Sequence, residues 1–283
     1  MSDETVSLLI ELGFTVTAIA VAAVHLLRRR APGPAQDGPT PTWRELMLTA
    51  AGLVPAAVGP NILVVATTPG MPEMHQLVHY ALVPSLVLLA VVWALSGLAG
   101  MDRLTNRIWT GIWTGAAATG ALDAIRLTGF HLGLMPGNMP RMFGVLIFDR
   151  MALGPSVASD IIGYLYHYWA GACFGLTYTL LCGRLRWWGG LVWGLVIEVG
   201  MMVTPPMVVA MDTGYFGLKF GFGLLGTSFL AHVAFGTVLG LLAERYVRHR
   251  GTIFGLMYNR FQQHQRGDRT LEPPCTTLKG RNV

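Results

Sequence analysis

Long apolar runs separated by short polar stretches dominate the chain. Seven of them, at about residues 5–27, 46–68, 76–99, 108–132, 161–182, 188–211 and 225–244, reach membrane length, since a helix crosses a hydrocarbon core with about 20 apolar residues. The second run contains Pro55, Gly59 and Pro60, which a membrane helix tolerates when neighbouring helices satisfy the freed backbone groups. Residues 133–160 are too broken by Pro and Gly to span. They predict a loop with a short interfacial helix around residues 143–151. After Gly251, the spacing of Ile253, Phe254, Met257 and Phe261 predicts an amphipathic helix lying on the membrane, then a disordered tail. The expected fold is all-α: a polytopic transmembrane bundle of about seven spans over residues 1–250, with an amphipathic and basic segment over 251–283.

Charge sets the orientation. With the N-terminus outside and the C-terminus cytoplasmic, 16 of the 20 Lys and Arg residues fall on the inner side. The outer loops hold Arg141, Arg150 and Lys219, and Arg126 lies within a span. Positive residues collect on the cytoplasmic side of membrane proteins, so this topology is preferred strongly over its inverse. Trp43, Trp109, Trp187 and Trp188 collect at the inner edge, where indoles anchor. The acidic start Met1–Glu4 and the length of the first run mark a retained span rather than a cleaved signal peptide.

Composition agrees. Charged residues make up 12% of the chain, half the ~25% of a soluble domain. The basic excess sits in loops and tail as a topology signal, so nucleic acid is set aside as a partner. The expected surroundings are the lipid bilayer of a bacterial inner membrane and, where the chain is a subunit, other membrane-complex components. Cys173, Cys182 and Cys275 form no disulfide framework and no CxxC or CxxCH occurs.

Candidate chemistry lies in histidine. His75, His79, His131, His167 and His232 all fall toward the outer face, and His25 toward the inner one. Ionisable side chains within membrane segments mark function by default. His167-x3-Gly171-x3-Gly175 and His232-x3-Gly236-x3-Gly240 repeat one another. Glycine every fourth residue lets a second helix approach closely, so packing alone would also account for this repeat.

The segments 120–129 (GALDAIRLTG), 139–144 (MPRMFG), 167–171 (HYWAG) and 232–236 (HVAFG) resemble the YagU-like bacterial inner-membrane proteins, a domain-of-unknown-function family. The resemblance covers roughly residues 108–245 and implies a polytopic helical membrane protein without assigned chemistry. Residues 1–107 would then be added N-terminal spans.

His75 and His79, four residues apart on one helix face, can both reach one metal ion. Met71 and Met74 precede them, while Met135, Met139 and Met142 follow His131. Thioether with imidazole points first to copper. The expected metal ligands are His75, His79, His131 and His167, with Met71, Met74, Met139 and Met142 as soft capture ligands. Methionine also fills irregular apolar gaps, and for the methionines alone that reading is favoured. A less favoured possibility is b-type haem held by His79 with His167 or His131, with Gly171 and Gly175 making room for the macrocycle.

Asp123 and Arg126, three apart within a span, can neutralise one another, or serve a proton or ion relay, or Asp123 can orient a ligating histidine. Glu198 lies mid-span ahead of Pro205 and Pro206 with no local partner, and could meet Arg126 across the bundle. Glu73, Asp149 and Asp160 read as solvated boundary acids. The glycine-rich stretch 221–226 lacks the Lys-Ser/Thr of a phosphate loop. The leading expectation is a metal-binding membrane protein, copper-handling or associated with a redox complex, with its site at the outer face. The alternatives are a structural subunit of a larger complex without its own chemistry, and a small-solute or proton-coupled transporter using Asp123, Arg126 and Glu198. Whether the chain is an enzyme stays open.

Overall fold

The computed structural model describes residues 3–28, 36 and 38–269. Arg29, Arg30, Cys275 and the tail beyond residue 269 lie outside the described residues, as do Met1 and Ser2 of the acidic start. The described chain is helical throughout, and its only β pairing is the isolated bridge between Gln36 and His249. Ten α-helices follow in order: α1 Asp3–Leu27, α2 Trp43–Ala66, α3 Met74–Leu77, α4 Val83–Leu98, α5 Asp102–His131, α6 Met139–Ile147, α7 Val157–Cys182, α8 Trp187–Val203, α9 Phe222–Tyr246 and α10 Ile253–Arg269.

Four stretches are long and apolar enough to cross a membrane: Glu4–Leu27, Trp43–Ala66, Met74–Leu98 and Phe222–Tyr246. The third joins α3 to α4 through a π-helical turn at Val78–Leu82. Pro84 explains that turn, because a proline inside a helix removes one donor and crowds the preceding turn. In α2 the prolines are accommodated by α7. The Tyr166 hydroxyl donates to the Gly59 carbonyl at 2.9 Å, and the Cys173 thiol points at the Pro55 carbonyl.

α5 is long but more polar, and it is the centre of the molecule. It packs against α7, α9 and α1, while α8 lies on α9, α6 on α7, and α2 against α7 and α4. Its neighbours are protein, so small and polar residues replace the large apolar ones that lipid demands. Two glycine seams hold the core. Gly111 and Gly115 of α5 face Gly171 and Gly175 of α7, and a Cβ on Gly175 would lie 2.4 Å from the Gly111 carbonyl oxygen. Gly190 and Gly194 of α8 face Gly236 and Gly240 of α9, and a Cβ on Gly240 would lie 2.0 Å from the Trp187 carbonyl oxygen.

The expected short helix in the 133–160 region is α6, four residues earlier than the pattern predicts. Asn138 caps it by accepting from the Arg141 amide, and its side-chain amide also donates to the Tyr164 hydroxyl at 3.0 Å. The expected amphipathic helix after Gly251 is α10. Arg103 and Arg107, expected in an inner loop, lie instead within the first turns of α5 and are buried. Arg107 donates to the carbonyls of Leu180, Arg250 and Gly251, tying α5 to the end of α7 and to the strand-like link after α9.

Candidate functional site

Asp123 sits on α5, eight residues beyond Gly115, on the face that meets α7. Its carboxylate oxygen Oδ1 lies 2.8 Å from Nε2 of His167. Glu198 sits on α8, eight residues beyond Gly190, on the face that meets α9. Its Oε2 lies 2.7 Å from Nδ1 of His232 and accepts from the Ser228 hydroxyl at 2.8 Å. Nδ1 of His232 is also 2.9 Å from the Ser228 carbonyl, so one imidazole proton faces two acceptors. All four ionisable side chains are buried. The two couples are built alike. In each, an acid two helical turns along from a seam glycine meets the histidine that opens a His-x3-Gly-x3-Gly stretch on the opposing helix.

The expected ion pair between Asp123 and Arg126 does not form. Spacing of i, i+3 permits contact, but helix packing turns Asp123 toward His167, and Arg126 has neither carboxylate at ion-pair distance. Both carboxylates act on it electrostatically. Among the described residues the Arg126 guanidinium makes no hydrogen bond, although the residue is 93% buried (7% exposed). It borders a cavity of about 330 Å³ that His167 and His232 also line. Asp123 Oδ2 and Glu198 Oε1 are likewise buried without hydrogen-bond partners. A buried cation normally has a partner, because desolvation is costly. The open guanidinium therefore gives this cavity a donor group of the kind that suits an anion.

The rest of the wall is mostly apolar, with Asn61, Thr119 and Thr204 as polar exceptions. Leu122 and Ile197 contribute to it from α5 and α8, Phe174 and Phe235 from α7 and α9, and Met139 and Phe143 from α6. Phe143 sits over the His167 ring at a centroid distance of 6.0 Å. α6 crosses α7 so closely that a Cβ on Gly144 would overlap the Ser159 carbonyl oxygen. That contact holds α6 against α7, where Met139 and Phe143 form part of the cavity wall.

The residues expected to bind metal part company. His75 lies 3.2 Å from Glu73, exposed His79 bonds through Nδ1 to the His75 carbonyl at 2.7 Å, and exposed His131 is 3.8 Å from buried Glu11. His167 is held by Asp123. Among the described residues, the one group of three His, Cys or acidic ligand atoms within 4.8 Å of each other is Glu73, His75 and Asp149. It draws on only one of the four expected histidines, and two carboxylates with one imidazole form a harder donor set than copper(I) prefers. Met74 and Met139 are buried in an apolar cluster with Met135, Met202 and Met207, Met142 packs against it, and Met71 is half exposed. All of these methionines but Met71 fill or border core space. Gly171 and Gly175, expected to admit a haem, are filled by Thr119, Gly111 and Gly115 of α5.

Asp160, read as solvated, is buried and paired with Arg141 at 3.2 Å. Sequence reasoning placed Asp123 beside an unspecified histidine but passed over Glu11, Ser228 and the matching of Glu198 to His232. The last had a signal: Gly115-x3-Thr119-x3-Asp123 and Gly190-x3-Gly194-x3-Glu198 share a four-residue rhythm.

No family model, no curated protein and no solved structure matches the chain. The YagU-like resemblance therefore adds no residue role.

Proposed function

We propose that this chain is a membrane protein that binds a small anion together with protons and carries it across the bilayer. The observation that supports it best is Arg126, a buried guanidinium without a protein partner, on the wall of a cavity flanked by two carboxylate–imidazole couples. With both imidazoles neutral the five groups sum to one negative charge. With both protonated they sum to one positive charge. An incoming monoanion favours the protonated state, and protonation favours the anion, because coupling between two ligands is reciprocal. Proton and anion thus travel together, with Arg126 as the anion contact and Asp123–His167 and Glu198–His232 as the proton-holding couples. Buried acids and an adjacent helix break such as Pro205-Pro206 are arrangements that transporters use.

In this proposal the chain crosses the inner membrane of a bacterium seven times, N-terminus outside. Besides the four stretches long and apolar enough on their own, α5 and α7 cross as shielded central helices, and α8 crosses extended by the turn at Pro206–Ala210. The 16 inner Lys and Arg residues support that orientation. The exposure of Trp43, Trp109, Trp187 and Trp188 suits indoles at the inner interface.

The test is proteoliposomes with an internal pH dye and an inward gradient of a small carboxylate. Acidification of the lumen should exceed that of empty liposomes and rise as external pH falls. Asp123→Asn, Glu198→Gln and Arg126→Gln should each abolish it while the protein still purifies as a single species. Wild-type flux no greater than that of empty liposomes, across carboxylates and phosphate, would refute the proposal.

A further inference from the structure

The cavity is not closed on all sides. Asn61 on α2 and Val196 and Gly200 on α8 line it and are at the same time exposed. α2 and α8 make no extended packing contact with each other, so a window opens between them. Val54 on α2 and Val192 and Val199 on α8 are also exposed, giving the window's surroundings the apolar surface that faces lipid tails in a spanning bundle. Polarity rises inward: the exposed rim is aliphatic but for Asn61, and Arg126, His167 and His232 lie at the buried walls.

Resting on the anion-carrier proposal, we infer that the ligand is an amphiphilic monocarboxylate, a fatty-acid-like molecule that enters sideways from the bilayer through the α2–α8 window, its carboxylate meeting Arg126 and its tail lying in the window. Three features select this chemistry. A guanidinium presents two parallel N–H donors that fit a carboxylate. One unpaired cation beside two carboxylates accommodates a single negative charge and disfavours a dianion such as inorganic phosphate. The cavity of about 330 Å³ equals roughly ten water volumes at ~30 Å³ each. That holds a terminal carboxyl and a short stretch of chain, whereas a phospholipid phosphate would bring glycerol and headgroup with it.

The experiment is equilibrium binding to the purified full-length protein in detergent, with dodecanoate, dodecan-1-ol, acetate and inorganic phosphate as probes. Dodecanoate should bind saturably at one site, tighter than acetate by more than about tenfold, a ratio equal to 1.4 kcal/mol. Dodecan-1-ol and phosphate should fail to displace it. Arg126→Gln should weaken dodecanoate about tenfold or more. Gly200→Phe should do the same by blocking the window, and a Cβ there meets no atom within 4 Å, so the fold accommodates it. Val196→Trp is the second blocking variant should Gly200→Phe fail to purify. If acetate or phosphate binds as tightly as dodecanoate, or both blocking variants bind it normally, lateral entry of an amphiphile is overturned and the anion site survives. If no anion binds, or Arg126→Gln leaves every affinity unchanged, the anion-carrier proposal falls with it.

Discussion

The α5/α7 pair and the α8/α9 pair are two versions of one device. Each brings two helices together on a glycine seam, and each sets a buried acid against the histidine of a His-x3-Gly-x3-Gly stretch. They differ three residues past the acid. The first pair carries Arg126 there and the second Met201, and both side chains reach the cavity. They differ also in how the acid is held. Glu198 has Ser228 as well as His232, while Asp123 has the imidazole alone. The likeness builds a scaffold with two carboxylate–imidazole couples, and the asymmetry supplies the one buried cation, among the described residues, without a hydrogen bond. On the proposed anion-carrier reading, function lies in the departure from the repeat.

The largest effect should come from the seams on which both pairs depend. Gly175→Leu and Gly240→Leu would each drive a side chain into opposing backbone, and each should cost more than about 3 kcal/mol. Size exclusion should show loss of the monodisperse species in both. Gly97→Ala, whose Cβ meets nothing within 4 Å, should leave stability unchanged or raise it by up to about 1 kcal/mol. Equal tolerance at all three positions would remove the seams from the account.

Next come the couples. His167→Ala strands Asp123 with no hydrogen bond, a loss on the order of 3 kcal/mol. His232→Ala leaves Glu198 bonded to Ser228 and should cost about 1 kcal/mol less. Thermal melting of the two variants side by side tests this ranking, and the reverse order would mean that the couples are not built as described. Erasing the asymmetry is the third test. Arg126→Met makes the two pairs alike. It removes a buried guanidinium without a hydrogen bond but also the positive charge that offsets Asp123 and Glu198, so melting should shift by no more than the equivalent of about 1 kcal/mol while anion flux disappears. A variant both less stable and fully active would break the link between Arg126 and the cavity.

The smallest effect lies outside both pairs and serves as their control. His249, beyond α9, has its pKa held below the ordinary value by burial and by Arg103, Arg107 and Arg248. A base depressed on folding adds stability above its unfolded pKa of about 6.5 and loses it as pH falls below that value. The melting temperature should decline modestly from pH 7 to pH 5, and His249→Gln should reduce that decline. A wild-type melt that rose with acidity would reverse the sign.

Much of the fold was legible along the chain. The apolar runs correspond to α1, α2, the Met74–Leu98 helix and α9, even through Pro55 and Pro60, because hydropathy belongs to each segment by itself. Asp123, Arg126 and Glu198 stood out for the same reason: a charge in an apolar run is visible without knowing its neighbours. The metal expectation at His75, His79, His131 and His167 used side of the membrane as a substitute for distance. A shared side leaves rotation about each helix axis undetermined, and rotation sends His79 to the surface and His167 into the core.

What the sequence alone determined is therefore a helical chain with membrane-length apolar runs, basic residues gathered in the polar stretches between them, charges within some of the runs and a repeated His-x3-Gly-x3-Gly stretch. Only the tertiary structure decided that Asp123 would take His167 and leave Arg126 open, that Glu198 would take His232, and that the glycines would receive helices. The physical reason is that segment hydropathy is a property of one helix. Pairing is a property of two, set by crossing and register, and a displacement of one turn reassigns every partner.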